Sequence, residues 1–258
     1  GWDPYDTLSA PLFNLPYFRS NKFLRFTAQQ AGKRFPLNLR PILFVPKRVN
    51  PVTLGLCLQG YSYLIQTSEL RFQREALDKT IDFLINELLK VKSSGFSGAC
   101  WGYDFDWEAR EAKINAYQPT VVATGIIINA LYICWKITGN VKARELVIDS
   151  AKFVLNDLNR SYSETPSPGG FENPQRAPQV KKVPFCFSYS PFDKQRVLNA
   201  SMKGVRILSQ AYSLTGSIEL KNIAREAVEF VTDRQNTDGS WAYSDRKTEH
   251  VDSYHTGY

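Results

Sequence analysis

Gln118-Pro119-Thr120-Val121-Val122-Ala123-Thr124-Gly125 opens an apolar segment that runs to about Thr138 and stops at Gly139-Asn140. Proline near the start and glycine past the end are what helix termini accept, because the first N–H groups have no helical partner and glycine tolerates the left-handed turn. Beyond the turn, Leu146, Val147, Ala151, Val154, Leu155 and Leu158 fall at helical spacing and make one apolar stripe. The two segments read as a helical hairpin.

The same unit stands on either side. Asn50-Pro51-Val52-Thr53 opens a helix through about Thr67, and a second helix from about Phe72 to Val91 is striped by Leu77, Ile81, Leu84, Ile85, Leu88 and Leu89. A third copy opens at Asn199-Ala200-Ser201, turns at Thr215-Gly216 and is striped by Leu220, Ile223, Ala224, Ala227, Val228 and Val231. Registered on Gly55, Gly125 and Gly204, the second helices carry Phe83, Phe153 and Phe230 at offsets of 28, 28 and 26 residues. A hairpin cannot bury both faces alone, so neighbours stack. The expected fold is all-α: one domain over residues 1–258, in which a basic segment (1–49) precedes helical-hairpin repeats (50–258). Asp252 to Tyr258, with Gly257 at the repeat glycine, reads as the start of a fourth hairpin, so the expectation is a fragment lacking C-terminal hairpins. The long connection from Ser161 to Pro184 holds five prolines and Gly169-Gly170, and a loop of that kind reads as a lid or a disordered excursion.

Composition supports a large core: 258 residues, 43% hydrophobic, 13% aromatic. The longest apolar run, Val121 to Ile137, is interrupted by Thr124, Gly125 and Asn129, so no transmembrane segment is expected. Gly1-Trp2-Asp3-Pro4 lacks the basic start and apolar follow-on of a secretory signal. Cys57, Cys100, Cys134 and Cys186 are far apart and show no Cys-x-x-Cys spacing, which reads as reduced, buried thiols in a cytoplasmic protein.

Charge is unevenly spread. From Thr7 to Ser68 there is no Asp or Glu, while Arg19, Lys22, Arg25, Lys33, Arg34, Arg40, Lys47 and Arg48 fall there and account for the whole net charge of +7. A field of one sign attracts phosphates, acidic sugars or anionic headgroups, or is simply solvated. No nucleic-acid motif accompanies it, so nucleic acid is not an expected partner.

The hairpins are joined by aromatic loops. Cys100-Trp101-Gly102-Tyr103-Asp104-Phe105-Asp106-Trp107 alternates rings with carboxylates, and shorter variants recur at Cys186-Phe187-Ser188-Tyr189 and Ser240-Trp241-Ala242-Tyr243. A pyranose stacks its apolar face on such rings while Asp or Glu accepts its hydroxyl protons, and a carboxylate pair can supply acid and base. Trp101, Tyr103, Trp107, Trp241 and Tyr243 are the candidate platforms, with Glu108 beside them. Asp104 and Asp106 are the candidate acid and base, together with His255, which stands with His250 around Asp252. Capping the next helix is an equally ordinary role for the carboxylates, and packing between hairpins for the rings. Arg196, between Asp193 and Asn199, could hold an anion, although pairing with Asp193 is the plain reading. Two histidines without an evident third ligand make no metal site, and no cofactor is called for.

Hairpins whose aromatic loops gather at one mouth resemble the α/α-toroid. Gln235-Asn236-Thr237-Asp238-Gly239-Ser240-Trp241 fits the Gln-x-x-x-Gly-x-Trp signature of terpene cyclase and prenyltransferase repeats, where it ties a helix end to the next loop. More closely, Gly1-Trp2-Asp3-Pro4-Tyr5-Asp6, Asn38-Leu39-Arg40-Pro41, Cys100-Trp101-Gly102-Tyr103, Phe105-Asp106-Trp107, Asn156-Asp157-Leu158-Asn159-Arg160, and Asp238-Gly239-Ser240-Trp241 with His255-Thr256-Gly257 resemble a bacterial family of prenyltransferase-like toroid proteins associated with surface polysaccharide biosynthesis. Some of its members carry a delta-aminolevulinic acid dehydratase label, but that chemistry sits in a β/α barrel, and this chain shows no strand–helix alternation. The cyclase acid Asp-x-Asp-Asp is also incomplete at Asp104-Phe105-Asp106-Trp107. The resemblance implies the toroid fold and the pathway; with the aromatic and acidic loops, the leading expectation is a protein that binds or processes a carbohydrate or lipid-linked glycan, compatible with peripheral membrane contact. Its alternatives are an isoprenoid diphosphate-handling protein and a non-catalytic repeat scaffold. In the isoprenoid reading the aromatics surround a hydrocarbon and the basic N-terminal segment holds the diphosphate, so a deep pocket lined almost wholly by Phe, Leu and Trp with arginines at its rim favours it; a large exposed apolar patch without an enclosed pocket favours the scaffold.

Overall fold

The computed structural model describes residues 1–67, 74–108, 113–163, 183–245 and 250–251. Among the described residues are eight α-helices: α1 (Pro16–Ser20), α2 (Lys22–Arg34), α3 (Pro51–Gln66), α4 (Arg74–Lys90), α5 (Val121–Thr138), α6 (Val141–Asn156), α7 (Leu198–Thr215) and α8 (Ile218–Thr232). Four short strands add two antiparallel ladders: β1 (Trp107–Glu108) with β2 (Lys113–Ile114), and β3 (Arg160–Tyr162) with β4 (Phe185–Phe187). The chain is thus mostly helical, with minor ladders that the sequence reading did not include. Most of the long connection, and the start of the expected fourth hairpin from Asp252, lie outside the described residues.

Helix ends follow local chemistry. Asn50 accepts the N–H groups of Val52 and Thr53 through its side chain, and Thr120 accepts that of Ala123, caps that contribute about 1 kcal/mol each. Gly139 and Gly216 close α5 and α7 at φ 72° and 71°, where glycine alone has no steric penalty. The start of α7 corrects the sequence reading. It begins at Leu198 after Val197, which has no capping side chain, and not at Asn199. A backbone bridge from Val197 to Ser244 and the bond from Leu198 N–H to Tyr243 O hold that end instead.

Counting from the N-caps Asn50, Thr120 and Val197 also revises the repeat register. Met202, not Gly204, shares the register of Gly55 and Gly125, and Phe230 then lies 28 residues on, as Phe83 and Phe153 do. Glycine at position 55 allows a close approach of α3 and α5, since a Cβ there would stand 3.1 Å from Ile127 Cγ1 and 3.2 Å from Ile127 Cα and would press on that residue. The phenylalanines are not equivalent. Phe153 and Phe230 are fully buried, whereas Phe83 is 59% exposed. α6 and α8 share five buried register positions, Ala143, Val147, Ser150, Phe153 and Val154 against Leu220, Ala224, Ala227, Phe230 and Val231, while α6 also buries Ala151. α4 buries Leu77, Ile81 and Leu84 in the register of Val147, Ala151 and Val154, but adds Ile85 in place of Phe83, so its buried face overlaps theirs and is rotated away from the phenylalanine.

The chain divides into two compact units, Gly1–Gly95 with Cys100–Asn140, and Phe96–Ala99 with Val141–Tyr258. In the first, α3 packs against both α4 and α5, and α2 lies on the 3-10 turn Asp6–Ser9 and reaches β1. Leu58, Ile85, Leu88, Trp101, Ile127 and Leu131 are fully buried there, each aliphatic side chain contributing roughly 1.5–3 kcal/mol. In the second unit, α7 packs against α6 and α8, and β4 lies on both α7 and α8. Phe185 and Phe187 meet edge to face there at 4.9 Å.

α5 comes closer to a membrane span than the sequence reading allowed, with 18 residues and mean hydropathy 1.6. Half of that window is buried inside the fold, as in the core helix of a folded unit. No disulfide joins the cysteines. Cys100, Cys134 and Cys186 are buried, as expected, but Cys57 is exposed on α3. Burial pushes the Cys186 thiol up to about 12 and raises Cys134 as well. Because the thiolate is the reactive form, Ellman's reagent is expected to titrate one thiol in the native protein and four in denaturant, and Cys57→Ser to remove the native signal. More than one fast thiol would contradict this burial pattern.

Candidate functional site

The central loop of the first unit is anchored before it is functional. Trp101 is fully buried, donates its indole N–H to Leu88 O at 2.8 Å and its backbone N–H to Thr124 Oγ1 at 3.0 Å. A Cβ on Gly102 would lie 1.9 Å from Gln118 O, so the chain after the tryptophan admits only glycine. The same tie recurs in the second unit, where Phe187 N–H donates to Ser201 Oγ, the register equivalent of Thr124. Trp241 Nε1 likewise donates to Val231 O, and Gln235 Nε2 to Gly239 O, so the Gln-x-x-x-Gly-x-Trp stretch binds its loop to the end of α8. Trp101 offers no open platform in this arrangement.

The carboxylates that follow are not one pair. Asp106 and Glu108 both hold Arg25, at 3.3 and 2.9 Å, and the arginine is 2% exposed. Asp106 Oδ1 also accepts Ala116 N–H, and Gln29, one turn beyond Arg25, accepts Glu108 N–H. Trp107, half-buried, sits in β1 opposite Ile114. Asp104 has other surroundings. It is buried, its Oδ1 has no hydrogen-bond partner, and Arg48 donates to its backbone oxygen instead of its carboxylate. Burial, with the charges of Asp3 and Asp6, raises its pKa above the ordinary 3.8. Beside it Tyr5, Phe105 and Tyr103 form a stack, with ring centroids 5.9 and 5.3 Å apart.

Pairing also changes the reading of the basic segment. Arg25 is engaged by Asp106 and Glu108, and Arg40 by Asp6 at 2.7 Å and by Asp3 O. Lys47 lies over the Trp2 ring and Lys33 over that of Tyr5, so this is not a uniform field of solvated cations. A shallow cleft of about 460 Å³ remains among Trp2, Asp3, Lys33, Asn38 and Arg40.

A pocket that the sequence reading missed lies in the second unit, with a volume of about 360 Å³. α7 contributes Asn199, Met202, Lys203 and Arg206, spaced on one helical face, and α8 adds Val228 and Val231. Trp241 and Tyr243 cap it, and the lining among the described residues is completed by Leu198, Thr232 and Ala242. Lys203 is 4% exposed; burial, with the neighbouring Arg206 charge, lowers its pKa to about 8. Asn199 Oδ1 is buried without a hydrogen-bond partner. Tyr243 stacks on His250 at 5.7 Å.

Arg196 requires a correction. It pairs with Asp245 at 3.0 Å, a carboxylate shared with Arg234, while Asp193 takes the N–H groups of Tyr189 and Gln195 and the Ser190 hydroxyl. His255 and Asp252 lie outside the described residues. One signal could have found the pocket: in the register of the N-caps, Lys203 stands where the other hairpins have Leu56 and Ile126. Comparison of the chain with family models, curated proteins and solved structures gave no match.

The Asp104 environment has a measurable consequence. Its folded-state pKa is above the unfolded one, so the folded state binds the proton more tightly and stability falls as pH rises through that window. Asp104→Asn is expected to stabilise the protein by about 1 kcal/mol at pH 7 in urea unfolding, with the gain shrinking toward pH 4. A loss of stability at pH 7 would show that the carboxylate is paired.

Proposed function

We propose that this chain is an α/α-toroid protein that holds an amphipathic anion, a hydrocarbon with a phosphate or carboxylate head of the kind found in prenyl phosphates and lipid-linked glycans. The common spacing from N-cap to phenylalanine in three hairpins supports the toroid. The observation that carries the ligand is the pocket lining: apolar walls from Leu198, Met202, Val228 and Val231, with the two basic side chains Lys203 and Arg206 on one helical face. Apolar walls stabilise a hydrocarbon by roughly 25 cal/mol per Å² removed from water, and a guanidinium matches phosphate or carboxylate geometry with two parallel bonds. Work on a lipid-linked glycan at the cytoplasmic face of a bacterial membrane fits both the pocket and the resemblance to polysaccharide-pathway proteins.

Binding of geranylgeranyl diphosphate, followed by calorimetry, tests the reading. The full chain is expected to bind it and to leave a sugar nucleotide without a lipid tail unbound, and Arg206→Ala is expected to weaken binding at least tenfold, about 1.4 kcal/mol. Equal affinity in the variant, or preference for the tail-free ligand, would overturn it.

A second reading places a carbohydrate at the Tyr5–Phe105–Tyr103 stack, with Asp104 as a proton-holding acid. The specific observation favouring it is the raised pKa of a buried carboxyl beside aromatic rings. Glycan binding unchanged in Asp104→Asn would remove it.

A further inference from the structure

We infer that the basic N-terminal segment is a membrane-docking surface, whose exposed aromatic and aliphatic side chains enter the headgroup layer of a bilayer while its arginines and lysines meet anionic phospholipid. The inference lies within the first unit and does not depend on the pocket reading of the second.

The segment is assembled round a small core of its own. Leu8, Ala10, Phe13 and Val45 are buried together, with Phe18, Ala28 and Leu43 packed against them, so the turn Pro11–Asn14, α1, α2 and the chain before α3 all meet there. Larger apolar side chains on the same elements do not join it. Leu12, Tyr17, Phe23, Phe26, Ile42 and Phe44 are all exposed. α2 shows the division most plainly. Arg25 and Gln29 are buried, and a Cβ on Gly32 would collide with the Thr7 side chain, so that face is held against the first unit. Phe23, Phe26, Gln30 and Arg34 recur at three- and four-residue spacing on the opposite face, where Phe23 is 75% exposed.

Phe44 points the same way. It is 79% exposed at φ 54°, a left-handed conformation that glycine adopts freely and a bulky side chain rarely does. Bonds from Leu43 N–H to Leu39 O and from Val45 N–H to Arg40 O close the turn around it, and Leu43 and Val45 on either side pack inward. Neither core packing nor backbone geometry accounts for a ring at this position, whereas an apolar medium outside the protein does.

Charge selects the occupant. Between Thr7 and Ser68 no residue is acidic, and Arg19, Arg34 and Lys47 are exposed among the apolar side chains. A second copy would set one acid-free stretch against another, and like charges would oppose the contact. A bilayer with anionic lipid supplies the opposite sign, and its interfacial layer takes aromatic and aliphatic tips without needing a matching shape.

Vesicle flotation of the full chain is the test. The chain is expected to float with vesicles of phosphatidylcholine and phosphatidylglycerol in equal parts at least tenfold better than with phosphatidylcholine alone, and to be released as salt is raised. Phe23→Ser with Phe44→Gly, and separately Arg19→Glu with Arg34→Glu, are each expected to lose at least tenfold in vesicle affinity. Their thermal unfolding midpoints are expected to hold, because all four side chains are exposed. Lys136→Glu with Lys194→Glu makes the same change in net charge outside the segment and is expected to leave flotation intact; an equal loss there would reduce the effect to net charge and overturn the inference. Phosphatidylglycerol is itself an amphipathic anion, so Arg206→Ala is floated alongside. Loss of flotation in that variant would assign the vesicle contact to the pocket and overturn the docking surface, while unchanged geranylgeranyl diphosphate binding in the phenylalanine variant is the expected counterpart. No flotation of the unaltered chain overturns the inference and leaves the pocket reading standing, and a dimer abolished by the phenylalanine substitutions would then give the surface to a second copy.

Discussion

The guanidinium of Arg25, enclosed with two carboxylates, is the interaction on which the first unit depends. Removing an arginine from water costs several kcal/mol, and only well-placed acceptors offset it. Here they come from Asp106 and Glu108, 81 and 83 residues further along the chain. The acid-free stretch and the acidic loop are therefore complementary parts, separated in sequence and joined in space. Arg40 with Asp6, and Arg48 with the Asp104 carbonyl, extend the same logic. The cost of this arrangement falls on the loop's chemistry: two of its three carboxylates are already occupied, and Asp104 alone keeps an unmatched oxygen.

Much of the helical plan was legible, because amphipathic periodicity and capping residues are local signals. Asn50 and Thr120 announce their helices by side-chain chemistry, and α3 and α5 begin where those residues place them. α7 could not be located so well, because its first turn is held by backbone bonds to residues 243 and 244, which leave no trace in the neighbouring sequence. That one displaced start also shifted the register, since Gly204 stood ready as a false equivalent for Met202. Phe83 shows a further limit: its place in the period is right, but exposure is decided by which face meets a neighbour. Strands of two or three residues are too short to generate a period at all.

Site residues were legible in proportion to how local their partners are. The structural part played by the Trp101 motif was visible as a repeat, and its bonds to Leu88 and Thr124 account for the recurrence. Arg196 was read against Asp193 three residues away, whereas its partner is Asp245, brought near by the return of the chain after α8. Lys203 and Arg206 were written at helical spacing but masked by an apolar stripe that was read from the second helix of the hairpin alone. Both units build their loops from rings and paired arginines, Arg25 with Asp106 and Glu108 in the first and Arg196 and Arg234 with Asp245 in the second, and the second adds a pocket with apolar walls.

The loop over the second-unit pocket has a kinetic meaning. Trp241 is tied to Val231 O, Tyr243 O accepts Leu198 N–H, and just beyond them Asp245 is clasped by Arg196 and Arg234 at 3.0 and 2.6 Å. Contact ion pairs that are only partly exposed are screened weakly by salt. Displacing Trp241 and Tyr243 from the pocket wall therefore requires several bonds on different elements to yield together, and salt alone does little to loosen the Asp245 pairs.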